Sequence, residues 1–131
     1  MNQLALRLKN LKESGIYNIN CDVNDVRSAA REAGLVLFDM DFGAVHSKSE
    51  FMAAIAQSIA APEWFGKNWD ALADALADLS WKEAPGYVML MVNCNANFNL
   101  LANDHDVAKE ILESTVKHWN LQGKPFWIFH C

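Results

Sequence analysis

Residues 86–94 read GYVMLMVNC. From Tyr87 to Val92 every side chain is apolar. A strand with one face in water alternates apolar and polar residues, because successive side chains point to opposite faces. A strand that is apolar throughout is covered on both faces, the usual condition of a parallel sheet packed between helices. The stretches LVLFDMDF (35–42) and FWIF (126–129) are nearly as apolar, and IYNI (16–19) is a shorter candidate. Helical patterns separate them. The alternation predicts an α/β domain, a parallel sheet of three to four strands covered by helices.

The helical patterns have readable ends. Leu4, Leu8 and Leu11 recur at helical spacing, which predicts a helix over 2–13 that stops at Gly15. Asp22 or Asn24 caps a second helix running to Glu32 and closed by Gly34. Ser47 with Glu50 has the spacing of a capping box. The helix behind it buries Phe51, Ile55 and Ile59 and stops at Pro62. Asn103 or Asp104 caps a long helix through Val107, Ile111 and Trp119, ended by Gly123 and Pro125.

The chain has 131 residues and 52% hydrophobic content, which fits one folded domain rather than a disordered chain. The net charge is −5, and it is uneven. Residues 1–33 carry five Lys/Arg against four Asp/Glu, whereas residues 34–131 carry six against twelve. An acidic body repels phosphate, so direct nucleic-acid binding is not expected. Three cysteines, Cys21, Cys94 and Cys131, form no C-x-x-C pair and are expected as reduced thiols in a cytoplasmic protein. The start, MNQLALRLKNLK, is interrupted by Arg7, Lys9 and Lys12 and does not have the pattern of a signal peptide. No apolar run approaches the roughly 18 residues of a membrane span.

Residues 62–81 read PEWFGKNWDALADALADLSW. On a helical wheel Leu72, Leu76 and Leu79 fall on one side and Asp70, Asp74 and Asp78 nearly opposite. Asn68 is the natural N-cap. Asp70 then lies in the first turn, where a carboxylate offsets the helix dipole by about 0.3–1 kcal/mol. Asp74 and Asp78 lie beyond that turn. Like charges four apart destabilise a helix by roughly 0.2–0.5 kcal/mol per pair, and no cation lies within this helix. A merely solvated face is one explanation. A binding surface for a cationic cleft is the other, because a local cost left unrelieved is common at functional sites. Trp64 and Phe65, with Gly66 between them and the helix, add aromatic contact area beside the acids.

The segment PEWFGKNWDALADAL resembles the barstar family, small intracellular inhibitors of barnase-type ribonucleases. The shared frame is a proline, an acid, two aromatics, Gly, any residue, Asn, a hydrophobic residue and DAL, with a second aspartate four residues after the first. The element order of 35–130 resembles the family too, so the resemblance covers a barstar-like core over 34–131. It leaves 1–33 as an N-terminal extension of the same single domain. It implies that Asp74 is the central contact with the ribonuclease and Asp70 the supporting one. It further implies that Trp64 is the loop aromatic that covers the cleft, and that Gly66 and Asn68 keep their family identities. Two positions depart. Ala73 stands where the best-known member has a tryptophan, and His118 where it has a contacting glutamate. The implied partner is a basic barnase-type ribonuclease or a related nuclease toxin, bound one-to-one, with no cofactor and no membrane.

Other constellations are weaker. His46, His105, His118 and His130 have no metal-ligand spacing, so no metal site is expected. No phosphate-binding glycine loop occurs. Asp39 and Asp41 end a buried strand, where α/β enzymes often place catalytic groups. A small hydrolase using these or the Asp70/Asp74 pair is the rival function, and a regulatory module with a non-nuclease partner is a third. The hydrolase requires a carboxylate in a concave pocket, and the inhibitor requires aspartates on a convex, exposed helix.

Overall fold

The computed structural model describes residues 3–20, 22–63 and 65–131. In chain order come α1 (Gln3–Leu8), a 3-10 turn (Leu11–Glu13), β1 (Ile16–Asn18), α2 (Val23–Glu32) and β2 (Val36–Asp41). Then follow α3 (Lys48–Ser58), α4 (Trp69–Asp78), a second 3-10 turn (Ser80–Lys82), β3 (Tyr87–Val92), α5 (Ala102–Leu121) and β4 (Phe126–His130). The strands make one parallel sheet in the order β1-β4-β3-β2. Phe38, Met89 and Ile128 lie side by side across it.

The unbroken apolar run of β3 follows from its place between β2 and β4. Tyr87, Met89 and Met91 point to one face, where they meet α3, α4 and α5 through Phe51, Ile55, Leu72, Leu76 and Leu112. Val88 and Leu90 point to the other, against Ala5, Leu8, Val26 and Ala30 of α1 and α2. Gly86 opens β3 in a narrow space. A Cβ there would sit 2.8 Å from the Pro125 carbonyl oxygen and 2.9 Å from Leu35 Cδ2, too close for any side chain.

The last carbonyls of a helix lack intrahelical partners, and three helices here meet that need with tryptophan. Trp127 Nε1 donates to Leu8 O at the end of α1 (2.8 Å). Trp81 Nε1 donates to Ile59 O, just past α3 (2.8 Å). Trp119 Nε1 donates to Leu76 O in the last turn of α4 (2.7 Å).

The structure corrects several expected boundaries. The helix expected over 2–13 is two pieces. Asn10 takes an extended backbone, and its side chain accepts from Lys12 N (3.0 Å), which starts a separate 3-10 turn. α3 ends before Pro62, because Ala60 adopts a left-handed conformation (φ 53°). Neither Asn103 nor Asp104 caps α5. The helix begins earlier, with Leu101 at the cap position and no side-chain cap, and Asp104 lies in the first turn. The others hold: Asp22 caps α2, and Gly34 and Gly123 take left-handed backbone just past α2 and α5 (φ 75° and 76°). In the capping box Ser47 Oγ accepts from Glu50 N, while Glu50 Oε1 reaches back to His46 N.

Leu76 is fully buried, so Leu76→Ala should cost about 2–5 kcal/mol in urea denaturation. Trp119→Phe keeps most of the apolar bulk but strands the Leu76 carbonyl. It should cost about 1–3 kcal/mol in the same assay.

Candidate functional site

α4 is built as the wheel requires. Asn68 has the extended backbone of an N-cap, and its Oδ1 accepts from Ala71 N at 2.8 Å. Leu72, Ala75 and Leu76 are buried, while Asp70, Asp74 and Asp78 are exposed. Leu79 is buried too, but it ends the helix rather than extending it. Its left-handed backbone (φ 47°) turns the chain into the second 3-10 segment.

The acidic stripe runs along the outer face with a rise of about 6 Å between successive aspartates. Among the described residues Arg7–Glu13 and Arg27–Asp39 are ion pairs and His105 Nδ1 lies 3.3 Å from Asp106 Oδ1, and none of these contacts involves the stripe. Asp78 accepts a hydrogen bond from Ser80 Oγ (3.3 Å). Asp70 and Asp74 therefore face solvent with no cation of the described chain against them.

The loop before α4 is shaped by three residues. Lys67, not Gly66, takes the left-handed backbone (φ 51°). Gly66 matters for space: a Cβ there would lie 3.2 Å from Asn68 Nδ2 and press on the capping side chain. Phe65 packs half-buried against the core. Trp64, the expected loop aromatic, lies outside the described residues.

Ala73 and His118, expected at the periphery, converge with Asp74. α4 packs on α5, and between them lies a shallow depression of about 300 Å³ lined by Ala73, Asp74, Ala77, Ile111, Thr115 and His118. The small side chain of Ala73 leaves this hollow open beside the central aspartate. Lys48, which the sequence reading missed, lies beside the N-terminal end of α4. Its Nζ lies 5.3 Å from the ring centre of the half-buried Trp69, a cation–π arrangement. Twenty residues separate the two, and no spacing rule connects them.

The rival carboxylates are engaged elsewhere. A shallow depression of about 400 Å³ does contain Asp39 and Asp41. Arg27 binds Asp39 through both Nε and a terminal nitrogen, which raises the guanidinium pKa further. Asp41 accepts from Asn93 Nδ2 (2.9 Å) and Gly43 N (2.8 Å). These bonds, Asn93 first, hold its carboxyl below the ordinary 3.8. A general acid needs the opposite shift. Among the described residues no cluster of three His, Cys, Asp or Glu could hold a metal ion, and no helix is long and apolar enough to cross a membrane.

The fold is a small α/β domain in which Asp70, Asp74 and Asp78 are exposed along α4. Residues 35–131 match the barstar (barnase inhibitor) family, and the chain belongs to that family. The family is one of inhibitors, not enzymes. Comparison with curated proteins gives no match.

The depressed pKa of Asp41 sets a pH dependence. A carboxyl whose folded value is lowered stabilises the protein above its unfolded value, and the gain is lost as pH falls through the folded value. The stability advantage of the parent over Asp41→Asn should therefore shrink as urea midpoints are followed from neutral pH to below about pH 4.

Proposed function

We propose that this protein inhibits a basic, barnase-type ribonuclease or related nuclease toxin, one-to-one, by laying the N-terminal half of α4 into the cationic active site. The observation that carries this reading is the pair Asp70 and Asp74, exposed on a rigid helix and without a cation of the described chain. Their repulsion is a cost in the free protein that a cluster of Arg, Lys and His on a partner would relieve. Charge-assisted hydrogen bonds formed there are strong because water no longer screens them. Asp74 is the central contact, Asp70 supports it, and Trp64 covers the cleft. Gly66 and Asn68 fix the entry to the helix. The hollow left by Ala73, rimmed by His118, replaces what would be a protruding ring. This fits a partner other than barnase itself. An inhibitor of this kind works where the host's RNA is, so the proposed location is the cytoplasm. Residues 1–33 act in this reading as an added unit of the same domain. The hydrolase reading through Asp39 and Asp41 is disfavoured, because Arg27 and Asn93 already occupy them; the Asp70/Asp74 pair is read as the binding surface instead.

Titration calorimetry against a barnase-type enzyme, and against any nuclease recovered by pull-down, tests the proposal. Asp74→Ala should weaken binding by about 2–5 kcal/mol, since it strands buried cations on the partner. Asp78→Ala, one turn further along, should change it by less than about 1 kcal/mol. The association rate should fall as salt rises. Equal affinities for all three proteins, or no binding to any ribonuclease, would leave the family relation as one of fold alone.

A further inference from the structure

Another cavity lies on the opposite flank of α5 from α4. It is a cleft of about 820 Å³ between α5 and the edge strand β1, within the roughly 300–1,000 Å³ of small-molecule sites. Its α5 wall is one stripe, His105, Lys109, Glu113 and Val116, spanning about 16 Å at helical rise. Ile16 and Asn18 of β1 form the facing wall. These two residues lie outside the stretch that matches the family, so that wall is this chain's addition.

The topology explains the cleft. β1 leads from its C-terminal end into α2, which packs on one face of the sheet. β3 leads into α5 on the other. β4 lies between them and ends at His130. Where neighbouring chain segments depart to opposite faces of a parallel sheet, a crevice opens outside the strand ends, the usual ligand position in such folds; the cleft takes in that position at Asn18, His130 and 96–98 and continues along β1 to Gly15 and Ile16. Asn120 Nδ2 donates to Leu11 O (2.8 Å) and fastens the first 3-10 turn to α5. The 95–99 loop, which supplies residues 96–98 of the lining, is pinned by Asn95 Oδ1, which accepts from Asn97 N and Asn99 N.

One group in the cleft lacks a partner. His130 lines it and is 7% exposed, yet its Nδ1 is buried with no hydrogen-bond partner among the described residues. A buried polar atom left unpaired is costly, and in a native protein it commonly marks a missing water or ligand. Burial also holds the imidazole toward its neutral form.

The remaining lining restricts the chemistry. Lys109 and Glu113 contribute opposite charges, so the wall has no net sign, and Asp106 and Glu110 lie on the adjoining surface of α5. This favours an uncharged ligand over a phosphate. Ile16, Val116 and Phe98 offer an apolar bed. His105 stacks on Phe98 (centroids 5.6 Å apart) and keeps its ring partly exposed. Asn18 and Asn97 add amides, which pair with the mixed donor and acceptor edge of a heterocycle. We infer that the α5–β1 cleft binds an uncharged nucleoside, its base set between the Asn18 and Asn97 amides against His105 and His130, and its sugar toward Lys109 and Glu113.

The test is a protein-observed NMR titration of the full chain with the common nucleosides and, separately, their 5′-monophosphates. At least one nucleoside should shift the His130 and His105 ring signals and the Val116 methyls saturably, in the millimolar range or tighter. Its monophosphate should bind more weakly. His130→Phe, which keeps a ring of similar shape, and Asn97→Ala, on an exposed loop, should each weaken binding by about tenfold. A folded spectrum for Asn97→Ala keeps the test decisive if the His130 variant fails to fold. No saturable shift with any nucleoside, shifts centred on α4, or monophosphates binding as tightly as nucleosides would each overturn the inference. Ribonuclease inhibition does not enter this readout, so the two proposals fail separately.

Discussion

The indole N–H of tryptophan holds this fold together at its helix ends. α1, α3 and α4 stop where the chain must turn sharply, and each leaves carbonyl groups without helical partners. Trp127, Trp81 and Trp119 supply the missing donors. Each bond joins segments far apart in sequence, and each ring also fills apolar space between layers. The Trp119 bond matters most for the acidic surface. It ties the last turn of α4 to α5, and so fixes the helix whose outer face carries the aspartates.

α4 serves two purposes with its two faces. Its inner leucines belong to the larger core cluster, and burial of that face holds the helix in place. Burial of that face outweighs the repulsion between the charges on the outer face. The electrostatic cost is small, a few tenths of a kcal/mol per pair, against several kcal/mol from the buried leucines. A cation between the aspartates would remove the cost and block the surface. Among the described residues no ion pair involves the stripe, and Lys48 rests over Trp69 at the start of α4.

The first part of the chain is joined to the sheet by backbone pairing and by packing alike. β1 runs beside β4, with Tyr17 against Trp127 and Phe129, while α1 and α2 cover the face that α3, α4 and α5 leave open. Without that cover Val88, Leu90, Trp127 and Phe129 would face water. This explains why β3 is apolar at every position and β4 at every position before His130, and why their sequence reads as a doubly covered sheet.

The sequence by itself determined the layer arrangement and the two faces of α4. Both depend on periodicity, which a local pattern of apolar residues encodes directly: every position in β3, and three to four residues apart in α4. The capping residues Asn68, Ser47 and Asp22 were legible for the same reason, since a side chain and the backbone it bonds lie within three positions. What the sequence left open depends on residues distant in the chain. Only the tertiary structure brought His118 beside Ala73 and Asp74, set Lys48 on Trp69, and gave Asp39 and Asp41 their partners 12 and 52 residues away. It alone placed the left-handed backbone at Lys67 rather than Gly66, and showed that the space beside Gly66 is taken by the Asn68 side chain. The cleft that ends at His130 was invisible for the same physical reason. Its walls come from β1, α5 and the end of β4, and no local pattern records that three such segments meet.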